Sequence, residues 1–124
     1  MLSMLEPHAM IAAHDIARAA RFYREQLGLV LTEEIPGLFV GKGPNGSSFH
    51  LFASPFAGTA KNAVLGWKTP DLIAEVANLK SRGVHFEEYD LPNFKTVDSI
   101  VSTPLGRSAW FKDTEGNMLG LAQY

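Results

Sequence analysis

The chain repeats itself. Asp15-Ile16 recurs as Asp71-Leu72, 56 residues on, and Gly28-Leu29 recurs as Gly83-Val84, 55 residues on. The segment Gly46–Leu51 has its counterpart in Gly116–Leu121, 70 residues on. Self-similarity over so long a period restricts the fold more than any local propensity, because both copies must form the same unit. The jump in offset matches an insertion in the second copy about the size of the segment 91–104.

Each copy reads as strand, helix and three strands. In the first helix, from about Asp15 to Leu27, Ile16, Ala20, Tyr23 and Leu27 form one apolar stripe. Asp15 caps its amino end, Gly28 ends it, and Arg21 with Glu25 makes an i,i+4 ion pair. The second helix runs from about Asp71 to Arg82, with Leu72, Val76 and Leu79 as its stripe, Thr69 or Asp71 as its cap and Gly83 at its end. Strands are expected at 8–14, Leu29–Ile35, Leu38–Lys42 and Ser47–Ala53, with Gly43-Pro-Asn-Gly46 as a turn. Residues 54–62 read as a linker. In the second copy, strands are expected at 63–69, 84–89, 107–112 and 117–123, and 91–104 reads as a long loop.

The expected architecture is α+β: two paired βαβββ modules, about 7–53 and 63–124, within a single domain over residues 1–124. A module of about 60 residues is marginal alone. Pairing two of them gives a curved eight-stranded mixed sheet with a concave cleft. Composition narrows the function classes. There are 11 basic and 13 acidic side chains, for a net charge of −2, which gives no basic excess for nucleic acid. There is no cysteine, hence no disulfide, thiolate nucleophile or thiolate ligand. No apolar run reaches the roughly 20 residues of a membrane span, and the opening residues do not read as a signal peptide. A cytoplasmic protein with no nucleic-acid or membrane partner is the expectation.

Certain residues carry a family likeness. His8 to Ile16, followed by Arg18, Phe22-Tyr23 and Leu27-Gly28-Leu29, resembles the opening of the glyoxalase / bleomycin resistance / extradiol dioxygenase superfamily, the vicinal oxygen chelate fold. Trp110-Phe-Lys-Asp113-Thr-Glu115-Gly116-Asn117 resembles its closing signature, F-x-D-P-[DE]-G-N, with Thr114 where proline is commonest. The resemblance implies paired βαβββ modules around a cleft. It leaves the reaction open, since members include isomerases, dioxygenases and metal-free drug-binding proteins.

The resemblance also implies positions for a divalent metal, on the first and last strand of each module. In the first module these are His8 and His50, both suited to a metal. In the second they are Val64 (Leu65 with a one-residue slip) and Gly120, which cannot ligate. A third ligand would have to come from Glu87, Glu88, Asp90, Asp98 or another subunit. Three readings of His8 and His50 stand: a metal pair, polar anchors or acid/base groups in a cleft, or ordinary histidines satisfied by backbone or water. Phe52, Trp110 and Met118 complete the candidate ligand-binding set. Arg107 and Trp110 fall on opposite faces of one strand, so one of them faces the cleft. Phe94-Lys95 is a candidate lid. His14 reads as a surface or turn residue, and His85 has no evident partner. No catalytic residue is singled out. The expected partners are a small molecule and a second copy in a homodimer. The favoured function is small-molecule binding without the four-ligand metal site. The alternative is a metal-dependent lyase, isomerase or dioxygenase acting on a small oxygenated substrate.

Overall fold

Asp15 and Asp71 each cap a helix through the same bond. The Asp15 carboxylate accepts from the Arg18 N–H at 3.0 Å and that of Asp71 from the Ala74 N–H at 3.1 Å. These caps start α1 (Ile16–Glu25) and α2 (Leu72–Ser81) in a computed structural model describing residues 1–124. Beyond each helix, Gly28 (φ +73°) and Gly83 (φ +87°) adopt the left-handed conformation that glycine takes without strain. Neither helix is long and apolar enough to cross a membrane.

The first module adds β1 (Ala9–Ala13), β2 (Leu31–Ile35), β3 (Leu38–Lys42) and β4 (Ser48–Ala53). They form a sheet in the order β1-β4-β3-β2, with β1 parallel to β4 and the other pairs antiparallel. The second module contributes β5 (Leu65–Lys68), a small hairpin of β6 (Asp90–Leu91) and β7 (Phe94–Lys95), then β8 (Val101–Thr103), β9 (Gly106–Lys112) and β10 (Met118–Gln123). Its sheet, β5-β10-β9-β8, has the same pattern of parallel and antiparallel pairs. Paired βαβββ modules are therefore the architecture. Their eight strands divide into two four-stranded sheets with no ladder between them.

The second edge strand differs from the sequence expectation. Residues 84–89 form no strand; they touch β9 through one bridge, Phe86 to Phe111, and the bond from Glu87 N–H to Trp110 O at 2.8 Å. The chain then leaves the edge, folds through β6 and β7, and returns as β8. The insertion thus interrupts the module's second strand instead of following it, and 91–104 is more ordered than a loop. Glu88 is the staple. Its carboxylate accepts from Thr96 Oγ1 at 2.6 Å, from Ser99 N–H at 3.0 Å and from Ser99 Oγ at 3.2 Å. Those bonds, led by the one from Thr96, hold its carboxyl below the usual range. They also tie down Asp98 and Ser99, which carry positive φ in the turn closed by Val97 and Ile100.

One core of 18 buried residues joins both modules. It takes Ala20, Phe22 and Tyr23 from α1, Leu72, Val76 and Leu79 from α2, and the helix-bearing faces of both sheets, including Leu51, Phe111 and Leu119. Each large side chain so buried contributes about 1.5–3 kcal/mol. The carboxyl ends of the helices meet: Gln26 Nε2 donates to Arg82 O at 3.3 Å and Arg82 Nη1 donates to Gln26 O at 3.4 Å. Gln26 and Arg82 occupy equivalent places in the repeat, and a reciprocal contact between equivalent residues lies on the local two-fold that relates the modules.

A polar hub locks the modules together. Asp113, Glu115 and Asn117, between β9 and β10, are all buried. Asp113 Oδ2 accepts from Tyr23 Oη at 2.6 Å and Asn117 Nδ2 at 2.8 Å, while Oδ1 accepts from the N–H groups of Glu115 and Asn117. Asn117 Nδ2 also donates to Ala12 O on β1 at 2.8 Å. Glu115 binds the start of α1, accepting from Asp15 N–H at 2.7 Å and from both Arg18 Nε and Nη2. Burial pushes the Glu115 carboxyl up, but the bonds from Arg18, Asp15 and Thr114 outweigh it and hold it at about 2. Burial also pushes the Tyr23 phenol well up, with the Asp113 charge adding to it.

Removing the phenol hydroxyl in Tyr23→Phe should lower the unfolding free energy by about 1.5–3 kcal/mol. Asp113→Ala, which strands several buried donors, should lower it by about 3–5 kcal/mol. Urea unfolding monitored by circular dichroism measures both. Because the Glu115 carboxyl sits below its ordinary value of 4.5, its stabilisation is complete above that pH and disappears as pH falls toward 2. The stability difference between the wild type and Glu115→Gln should therefore shrink across that window; a constant difference would show that the charge is not what Glu115 contributes.

Candidate functional site

Alternation along the strands decides which side chains leave the core. On β1 and β4, Ile11, Ala13, Phe49 and Leu51 are buried beneath α1, so Met10, Ala12, His50 and Phe52 occupy the opposite, open face. Met10 is paired with His50 in the ladder, and His8 lies two residues before Met10 on the same face. The His8 and His50 rings stack, with centroids 4.0 Å apart and planes inclined by 25°. The two histidines identified from the sequence are thus neighbours. Phe52 lies further along the same face, half-buried. His14 instead sits 3.1 Å from Ala57 O through Nε2, and His85 is exposed.

The open face of the second sheet is built on glycine. Gly120 is flanked in the ladder by Gly66 on β5 and Trp110 on β9. A Cβ on Gly120 would stand 3.4 Å from Trp110 Cδ1 and 3.5 Å from Nε1, so the indole lies across this bare floor. Phe94 and Tyr89 complete a mutual triad: ring centroids are 5.3 Å apart for Phe94–Trp110, 6.0 Å for Tyr89–Trp110 and 5.4 Å for Tyr89–Phe94. All three rings are half-buried. The hairpin of β6 and β7 therefore extends over the open face of its own sheet. Met118 shares this face by parity, whereas Arg107 lies on the helix-bearing side, where Nη2 donates to Gln123 Oε1 at 3.3 Å. Tyr89 was not singled out from the sequence. The available signal was three aromatics at 89, 94 and 110 bracketing the insertion.

The candidate residues fall into two groups. His8, His50 and Phe52 belong to the first sheet, and Trp110 and Met118 to the second. A shallow cavity of about 250 Å³ lies beside Trp110, lined by Gly66, Ser108, Gly120 and Tyr124 among others, and it includes neither Met118 nor any residue of the first group.

The donor set does not fit the metal implied by the family likeness. No three His, Asp or Glu side chains come together in a group able to hold an ion. Of the four acids considered as a third ligand, three are engaged elsewhere and Asp98 borders a groove beside α2. Glu88 staples the insertion, Glu87 lies 4.0 Å from Lys112, and Asp90 lies 3.9 Å from Lys95. At the repeat positions of His8 and His50 stand Val64 and Gly120, the latter beneath Trp110.

The family model for the Glyoxalase/Bleomycin resistance protein/Dioxygenase superfamily matches residues 7–121. The chain belongs to this superfamily. No curated protein sequence matches it. Among solved structures, the superfamily fold is shared with TnmS3, an antibiotic binding protein from Streptomyces sp. CB03234, at 26% identity and a TM-score of 0.69 over 96% of each chain. A glyoxalase / bleomycin resistance protein from Catenulispora acidiphila DSM 44928 matches at 20% identity and a TM-score of 0.73, over 97% of this chain and 98% of that one. Oxidase ChaP-H2 matches at 21% identity and a TM-score of 0.63, over 97% and 93%.

Gly120→Val should lift the indole from its floor at a cost of about 1–3 kcal/mol. In a Trp67→Phe background, where Trp110 is the only tryptophan, its emission should shift to the red. Unchanged emission would show that the indole does not rest on Gly120.

Proposed function

We propose that this superfamily member is a metal-independent small-molecule-binding protein whose ligand is flat and largely apolar. The observation that carries the reading is Trp110 laid over the Gly66–Gly120 floor with Tyr89 and Phe94 beside it, at the place where a metal-dependent member would carry ligating side chains. Aromatic faces bind flat apolar bodies by offset or edge-on stacking, worth about 0.5–1.5 kcal/mol per pair beyond area burial. His8 and His50 then serve as polar anchors, and Phe52 and Met118 as apolar walls. That TnmS3 is an antibiotic binding protein supports small-molecule binding in general.

The two open faces belong to different sheets, whose other faces share one core. A ligand held between the histidine face and the tryptophan face therefore needs a second copy, the Trp110 face of one chain over the His8–His50 face of the other. A two-fold dimer would make two such clefts. The exposed Met10 on β1, 60% accessible, is the kind of apolar surface that such a dimer would cover.

The stacked imidazoles favour one other reading, a metal-dependent lyase, isomerase or dioxygenase. Metal analysis of protein purified without chelator decides between them: about one ion per chain would support the enzyme. On the binding reading, naphthalene- and anthracene-sized probes should bind, and Trp110→Ala and His50→Leu should each weaken them by about tenfold. Sedimentation should show a dimer in the wild type and both variants. A monomer, or a folded variant with undiminished binding, would refute this reading.

A further inference from the structure

The insertion that carries Phe94 over the open face of its sheet forms, with α2, a second cavity. This groove has a volume of about 470 Å³, within the range of pockets that take drug-sized ligands. Its apolar part includes Ile73 from α2 and Val97 and Ile100 from the insertion. Ile73 and Val97 are 57% and 68% exposed, leaving apolar surface that the chain itself does not cover.

Charge indicates what would cover it. Lys80 at the end of α2, Lys95 on β7 and Arg107 on β9 all line the groove, and Asp98 is the only carboxylate that does. Two further acids lie close by: Asp90, 3.9 Å from Lys95, and Glu88, whose carboxyl feels Lys80. The Asp90–Lys95 pair is well exposed, so it neutralises Lys95 only weakly. Glu88 is committed to Thr96 and Ser99. Arg107 spends one donor on the neutral Gln123 amide, and a guanidinium has five. Three cations from three separate elements therefore border one groove with an apolar part, in a chain whose net charge is −2.

We propose that this groove binds a small amphipathic anion, with its apolar body along Ile73, Val97 and Ile100 and its carboxylate or sulfonate at Arg107, Lys80 and Lys95. Charge-assisted bonds to a guanidinium and ammonium groups give the head its affinity, and the uncovered aliphatic side chains give the body its own. The site lies on the helix-bearing side of the sheet. It is therefore distinct from the open faces and does not depend on what they bind.

The test uses octanoate, a flexible aliphatic anion that is not one of the flat ligands expected on the open faces, and its neutral counterpart 1-octanol, titrated by calorimetry against the full chain. The anion should bind at least about fivefold more tightly than the neutral alcohol. Lys80→Gln with Lys95→Gln, both exposed positions, should remove most of that preference while leaving the melting temperature unchanged. Ile73→Ser should weaken both probes. Trp110→Ala, which disables the open-face site, should leave the anion's affinity within about twofold. No saturable binding of the anion, equal binding of both probes, an unchanged preference in the lysine double variant, or loss of anion binding in Trp110→Ala would each overturn the proposal. The Trp110→Ala arm keeps its failure separate from failure of the open-face reading.

Discussion

A buried carboxylate tolerates burial only when its oxygens are satisfied, and Asp113 has four donors, two on each oxygen. Three of them come from its own turn. The fourth is the Tyr23 hydroxyl, which arrives from the helix of the other module. Breaking a buried charged network costs about 3–5 kcal/mol, against 0–1 for an exposed ion pair. The relative placement of the two modules is thus fixed by a group that cannot relax into solvent. Asn117 adds the bond to the edge of β1, and Glu115 holds the amino end of α1. The turn sequence Asp-Thr-Glu-Gly-Asn acquires a physical meaning position by position, with Gly116 at φ +85° supplying the bend. Even the departure from proline is accommodated, because Thr114 Oγ1 donates to Glu115 at 2.7 Å.

On that frame the modules have diverged on their outer surfaces while keeping a common interior. Both bury the same kinds of strand residues under a capped ten-residue helix. On the open faces, one module presents stacked imidazoles where the other presents glycine under an indole. The second module also has an interrupted edge strand, and the excursion between Phe86 and Val101 supplies Phe94 to one surface and Lys95 and Val97 to another. A staple by Glu88 is needed because so short a hairpin has no core of its own.

Legibility in the sequence followed the range of the interactions involved. Helix bounds were readable from Asp15, Asp71, Gly28 and Gly83 because capping acts within a few residues. Strand faces were readable from alternation, which placed His50 and Phe52 together and opposed Trp110 to Arg107. The interrupted strand was not readable: residues 84–89 have strand-like composition, but only Phe86 and Glu87 find a partner. The order within 91–104 was hidden for the same reason, since it rests on Glu88 reaching Thr96 and Ser99, 8 and 11 residues away.

The repeat offsets, the caps and the closing Asp-Thr-Glu-Gly-Asn turn were enough, without coordinates, to specify two βαβββ modules and the superfamily. They also showed that His8 and His50 lack ligating counterparts in the second module, because the identity of a side chain is a property of the sequence alone. Only the tertiary structure decided that the two imidazoles stack, that Trp110 lies over Gly120 with Tyr89 and Phe94 against it, and that three cations border one groove beside α2. Those arrangements join residues far apart in the chain. Their distances depend on how the modules dock through Tyr23 and Asp113 and on where an interrupted strand re-enters its sheet, and neither leaves a periodic trace in the order of the residues.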